Sequence, residues 1–286
     1  MQNCSINKII IFGASGMLGR YIHSYFLQKV NEFQIIAISF RITNETIDQL
    51  ENILINNNID NHTCVINCIG QIPQRKSADK GDHIYFLVNS IFPHLLWSIC
   101  KKYDAKMVQP ATDCVFSGEK CGGMYLETDI HDEIGSYGMS KSLGEPLGCT
   151  IIRTSIIGRE LVNKKSFLEW VLSNSSEYGQ HNKIINGWNN HLWNGITCLE
   201  YCKILDNIIC KDLFWNGVRH LYSPTPKSKY ELARMIVKTF ELVDVEVNSV
   251  QASTIIDKTL ASNYPLFYNI SELSEQIQEL KYFDLL

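Results

Sequence analysis

Residues 8–27 constrain the fold more than any other stretch of this chain. Lys8-Ile9-Ile10-Ile11-Phe12 is an apolar β-branched run, which reads as a strand buried on both faces. It passes directly into Gly13-Ala14-Ser15-Gly16-Met17-Leu18-Gly19, and then into Arg20–Leu27 with helical periodicity. Strand, glycine turn and helix in that order form the context of a dinucleotide-binding βαβ unit. Gly13 permits the tight turn, Gly16 lets a pyrophosphate approach the backbone, and Gly19 lets helix and strand pack closely. Ser15, Met17 and Leu18 complete the cradle at the helix start, where backbone N–H groups are available to phosphate.

Further strands follow in register with that reading. Phe33–Ile38 is the second strand, and Ser39-Phe40-Arg41 beyond it carries no carboxylate for a ribose 2′-hydroxyl. A hydroxyl at Ser39 and a guanidinium at Arg41 suit a 2′-phosphate instead, so NADP(H) is expected over NAD(H). Residues 43–58 read as a polar amphipathic helix. Cys64–Gly70 is a third strand, whose end at Cys68, Ile69 and Gly70 offers flat backbone to an adenosine moiety. Residues 71–82 read as a polar loop, and a helix with Pro93 in its first turn follows Asn89, a scaffold residue near the cofactor. Lys106–Gly118 is a strand with hydroxyl, carboxylate and thiol at its far end: Thr112, Asp113 and Cys114.

The chemistry converges on Tyr137-Gly138-Met139-Ser140-Lys141. On a helix, residues four apart share a face. An ammonium beside a phenol is expected to lower the phenol's pKa and make it a general acid toward a carbonyl oxygen. Thr112, at the carboxyl end of its strand, would lie beside Tyr137 and polarise that carbonyl.

Net charge of −4 and a pI near 6.1 speak against nucleic acid as a partner. No apolar run of membrane-span length is evident, the first residues lack a signal-peptide pattern, and a cytoplasmic location is expected. The ten cysteines include no CxxC pair. Free buried thiols and no metal site are therefore expected.

On these residues the chain resembles the extended short-chain dehydrogenases/reductases, through its G-x-x-G-x-x-G spacing, and within them the dTDP-4-dehydrorhamnose reductase family. The segments that carry the resemblance are Gly13–Gly19, Thr112–Gly118, Tyr125-x-Glu127-x-Asp129, Tyr137-Gly138-x-Ser140-Lys141-x-x-Gly144-Glu145 and Arg153–Gly158. Weaker similarity runs through 193–197 and 228–232. The resemblance implies an α/β fold: a Rossmann-type doubly wound parallel sheet, 1–158 with 195–224, and a smaller discontinuous substrate lobe, 159–194 with 225–286. It implies NADPH-dependent reduction of the 4-keto group of a nucleotide-linked 6-deoxyhexose by Thr112, Tyr137 and Lys141, in a chain that could form a homodimer.

Asp113, Cys114, Val115, Phe116, Trp193 and Asn194 are candidate substrate contacts, and the amides and rings of 188–191 extend that set. The family usually has an aromatic residue where this chain has Cys114. A cysteine there is similar to GDP-fucose synthase, which raises an alternative: a bifunctional 3- or 3,5-epimerase/4-reductase using Cys114 with Lys164 or Lys165. A second alternative is a regulatory subunit that keeps the fold without turnover.

Overall fold

A computed structural model describes the chain except for residues 1–4, 30–31, 44–45, 76–80, 163, 180–182, 266, 284 and 286. The signal-peptide reading of the first residues, Cys4, and part of the 71–82 loop thus lie outside the described residues.

The central sheet contains β1 (Lys8–Phe12), β2 (Gln34–Ile38), β3 (Thr63–Asn67), β4 (Lys106–Thr112), β5 (Thr150–Thr154) and the strand Gly217–His220. Its order is Gly217–His220, β5, β4, β3, β1, β2, and every pairing is parallel. Alternation along the strands divides the core. Ile9, Ile11, Cys64 and Ile66 face one layer of helices, while Ile10, Phe12 and Val65 face the other. The first layer holds α1 (Met17–Leu27), and the second holds α2 (Leu50–Asn56), with only a 3-10 turn at Ile47–Gln49 before it. The helix expected over 43–58 is therefore one short element among the described residues, since Asn56-Asn57-Asn58 ends it and Asn58 takes φ +53°.

Pro93 stands in the first turn of an α-helix, as expected, yet the chain is already helical before it. α3 (His83–Phe86), a π-helical turn at Leu87–Ile91 and α4 (Phe92–Lys102) are continuous. Pro93 has no N–H to give the Asn89 carbonyl four residues back, and the backbone widens there to a π turn. The resulting helix, His83–Lys102, meets the length and, with a mean hydropathy of 1.2, the composition of a membrane span. Its Phe92, Leu96 and Cys100 faces are nevertheless completely buried in the second layer.

α5 (Ser136–Leu143) follows β4. Beyond β5 come α6 (Phe167–Ser173), capped by Ser166, then α7 (Cys198–Cys210), α8 (Lys229–Thr239) and α9 (Leu273–Tyr282). Short strands join the segments outside the sheet: Ile184–Trp188 with Glu246–Val250, and His191–Trp193 with Lys227–Ser228 and Ile256–Asp257. α9 packs on α7, and Phe283 just after it stacks on Tyr21 of α1 at 5.7 Å. One apolar cluster thus runs from the sheet through α7 to α8 and α9.

Candidate active site

The carboxyl ends of β1, β3 and β4 open onto one cleft of about 330 Å³, at the point where strand order reverses. A larger groove of about 530 Å³ lies along the outer side of α8, but none of the converging acid–base groups reaches it. The smaller cleft is the chemically competent one.

Its floor is the glycine turn. Gly13 has φ +79°, and a Cβ there would lie 2.9 Å from the Cys68 carbonyl carbon. A Cβ at Gly19 would lie 2.2 Å from the Gly13 carbonyl oxygen, so close helix–strand packing dictates that glycine. At Gly16 a Cβ would meet only Gly13 O at 3.4 Å, and the protein's own packing tolerates one. α1 begins after Gly16 with no side-chain cap and no acidic residue in its first turn. Its amides are therefore open to an anion.

Gly16, Met17, Leu18, Cys68, Ile69 and Gly70 line the cleft. Gly13 and Gly19 shape it from behind, Ser15 is exposed at its rim, and Ser39 and Arg41 are exposed beyond the end of β2. These groups fit a dinucleotide: an uncapped helix for the pyrophosphate, backbone for the adenosine, and a cation at the ribose edge.

α5 is braced from several sides. Asn89 Nδ2 donates to Ser140 Oγ at 3.0 Å and to Gln71 O at 2.9 Å, while its Oδ1 accepts from Gln71 N at 2.9 Å. Ser90 Oγ donates to Ser140 O at 2.7 Å. A Cβ at Gly144 would fall 1.7 Å from Asn89 O, so only glycine lets α5 lie this close. Asn89 is buried and acts as a brace between α5 and the chain leaving β3.

Tyr137, Lys141, Thr112 and Cys114 all line the cleft. Thr112 Oγ1 accepts from Cys114 N at 3.2 Å, which turns the chain sharply after β4. The expectation that Lys141 lowers the Tyr137 pKa is overturned. Burial, reinforced by Cys114 and Asp113, pushes the phenol well above its ordinary value, and Thr112 opposes this only in part. Burial instead pushes the Lys141 ammonium down to about 8. A Cβ on Gly70 would lie 3.1 Å from Lys141 Nζ, so the lysine crosses to the end of β3.

Cys114 is a protonated thiol here, pushed up to about 12 by burial and by Asp113, to whose Oδ1 it donates at 3.4 Å. The thiolate is the reactive form. Of its two expected lysine partners, Lys165 lines the cleft and Lys164 does not. Lys258, Lys229 and Lys141 are the cations coupled to this corner.

The other candidate substrate contacts do not line the cleft. Asp113 is buried under the β4 turn, and Val115 and Phe116 are fully buried. Phe116 stacks on Tyr125 at 4.2 Å. Trp193 is a core residue, and Asn194 is occupied by both backbone groups of Leu260, each at 2.8 Å. Asn189 and Asn190 hold Ser249 and Ala252 of the neighbouring segment, and Trp188 packs on His191. Sequence reading missed Ser155, Glu160 and Phe167, which line the cleft from beyond β5. Among the described residues, no group of three or more His, Cys, Asp or Glu side chains could hold a metal ion.

Comparison with known proteins adds to this geometry. A family profile described as RmlD substrate binding domain matches residues 7–264. Over 138 residues the chain is 27% identical to dTDP-4-dehydrorhamnose reductase of Mycolicibacterium smegmatis, covering 48% of this chain and 40% of that protein. The match thus spans less than half of that relative's length. It is 21% identical over 277 residues to methionine adenosyltransferase 2 subunit beta of Pongo abelii, covering 89% of this chain and 78% of that one. The solved structure of dTDP-4-dehydrorhamnose reductase from Bacillus anthracis in complex with NADP is similar, with a TM-score of 0.78 and 20% identity, over 96% of this chain and 99% of that one. Likeness at that identity shows the fold.

Proposed function

The chain belongs to the RmlD substrate-binding-domain family, and from that premise we propose that it reduces the 4-keto group of a nucleotide-linked 4-keto-6-deoxyhexose, with NADP(H) as cofactor. The observation that carries this reading is the meeting of Thr112, Tyr137 and Lys141 with the glycine turn in one cleft. When bound, the reduced dinucleotide supplies a hydride.

The chain's own residues handle the proton and the orientation. Tyr137 gives its phenolic proton to the ketone oxygen as that oxygen becomes an alkoxide, a stronger base than phenolate. Its raised pKa keeps the proton in place until then. Lys141, titrating near 8, is mostly cationic at neutral pH. It has no acceptor among the described residues, which suits it to ribose hydroxyls. Thr112 Oγ1 is the second hydroxyl on the same wall and polarises the ketone. The cofactor's phosphates belong on the amides of Gly16, Met17 and Leu18, with Arg41 toward a 2′-phosphate. The Cys114 thiol, held protonated, is a pocket wall and not a base.

The test is NADPH oxidation by the purified protein alone with freshly generated dTDP- and UDP-linked 4-keto-6-deoxy sugars, with and without an added 3,5-epimerase. Turnover that needs the epimerase is the expected result. NADPH bound but never consumed would overturn the reading in favour of a non-catalytic subunit.

A further inference from the structure

Besides Lys141 and Lys165, which line it, the cleft is flanked by a third cation, Lys229, at the first position of α8. Ser228 caps that helix: its Oγ accepts from Glu231 N at 3.1 Å, while the Glu231 carboxylate accepts from Ser228 N at 2.8 Å. The helix is thus well terminated without Lys229, and its amino end disfavours positive charge. Lys229 Nζ sits 5.1 Å from the Phe167 ring centre and 5.2 Å from that of Trp193. Phe167 lines the cleft together with Thr112, Cys114 and Tyr137.

No hydrogen-bond acceptor or ion pair engages the ammonium among the described residues. Asp113 acts on it through its field alone, and Lys258 repels it. A largely desolvated cation at the positive end of a helix, near another cation, breaks three local rules at once. Such violations beside a cleft mark function.

We propose that Lys229 is a specificity-determining residue whose ammonium binds an oxygen substituent of the hexose at the Cys114 side of the cleft. The inference rests on the nucleotide-sugar reading. Asp113 and Cys114 directly follow Thr112, so Lys229 serves the end of the cleft where the ketone reacts. The Asp113 carboxylate would repel a diphosphate there, whereas it leaves a neutral hydroxyl or carbonyl oxygen undisturbed.

The experiment is calorimetric binding of dTDP-glucose, UDP-glucose, dTDP, UDP and NADP⁺ to wild type, Lys229→Met and Lys229→Arg, with thermal midpoints. Wild type is expected to bind a nucleotide-glucose more tightly than the bare nucleotide. Lys229→Met should weaken the nucleotide-glucose roughly tenfold, as for a lost hydrogen bond from a charged donor. The bare nucleotide and NADP⁺ should be unaffected, the thermal midpoint should hold or rise, and Lys229→Arg should recover part of the loss. If Lys229→Met does not fold, Lys229→Gln carries the same comparison. Equal losses for nucleotide and nucleotide-glucose would assign Lys229 to phosphate and overturn the inference, as would no loss at all. A wild-type protein that binds neither nucleotide-glucose overturns the substrate reading and the inference with it.

Discussion

The two ends of α5 carry two buried polar clusters built on opposite rules. Toward the cleft, the Tyr137 phenol and the Lys141 ammonium are buried, the phenol is neutral, and the lysine has no hydrogen-bond acceptor among the described residues, with Glu145 acting on it only through its field. At the other end, Arg153 is buried and fully engaged. It donates to Glu145 through Nε at 3.1 Å and Nη2 at 2.6 Å, to His220 Nε2 at 2.8 Å and to His131 Nε2 at 2.8 Å, with its guanidinium over Phe116.

A guanidinium only donates, so both imidazoles are assigned a lone pair at Nε2 and a proton at Nδ1. His220 Nδ1 donates to Ala261 O at 2.7 Å, and His131 Nδ1 to Ser142 Oγ at 2.5 Å. The hub fastens β5, α5, Gly217–His220 and the segment around Ala261 to one another. A buried group with every partner in place is architecture, and a buried cation without one awaits a ligand.

Tyr137→Phe tests the cleft end and has the largest expected effect. Removing the proton donor should lower kcat by about 10²–10⁴-fold with cofactor affinity kept. The thermal midpoint should change little, because the phenol oxygen meets only the Thr112 hydroxyl at the end of β4. Near-full turnover would remove Tyr137 from the chemistry. A large loss of stability would make it part of the architecture and erase the contrast between the two ends.

Arg153→Met is the matching test at the hub. It strands the Glu145 carboxylate and two imidazoles, and breaking a buried pair from one side costs about 3–5 kcal/mol. Denaturant unfolding should register that loss, and adding Glu145→Gln should restore part of it. A midpoint within experimental error of wild type would mean the network contributes specificity and little stability.

The hub also predicts an acid limb. Burial first, and Arg153 second, push both His131 and His220 down to about 4. Unfolded histidines titrate near 6.5, so between the two values the unfolded chain binds more protons. Stability from this source is complete above about pH 6.5 and is lost as pH falls toward 4. Urea midpoints measured across that window should drop with pH, and less steeply in a His131→Phe variant. A profile that is flat over the window would show that the imidazoles are already charged in the folded state.

What could be read in the sequence follows the same divide. The glycine turn, Thr112 and Tyr137 with Lys141 are local patterns, legible because their partners are at fixed short spacings. The parallel sheet follows from β-branched runs alternating with helical periodicity. The Arg153 hub joins residues 67 and 22 positions apart, His220 and His131, and nothing local announces that pairing. Phe116 and Trp193 looked like ligand platforms because ring chemistry is the same whether it faces a ligand or a core. Spacing alone gives the Tyr137 shift the wrong sign because burial, invisible in spacing, outweighs a neighbouring charge. Two local signals do stand in the sequence: Pro93 four residues after Asn89, which forces the π turn, and a lysine at the first position after a capping serine.

Arg41 gives the smallest effect and sharpens the comparison from outside both clusters. It stands exposed at the end of β2, where water and salt screen its charge. An exposed ion pair contributes up to about 1 kcal/mol, so Arg41→Ala should reduce the preference for NADPH over NADH by about three- to fivefold. The ratio of kcat/KM values for the two cofactors measures it directly. Added salt should erode the wild-type preference and leave that of Arg41→Ala nearly unchanged, because a screened contact that is already gone cannot be screened further. A ratio unmoved by the substitution would shift recognition of the 2′ position to Ser39 or to backbone. A loss far beyond fivefold would mean that the bound cofactor covers Arg41 and carries it into the class of buried, ligand-awaiting cations that Lys141 exemplifies.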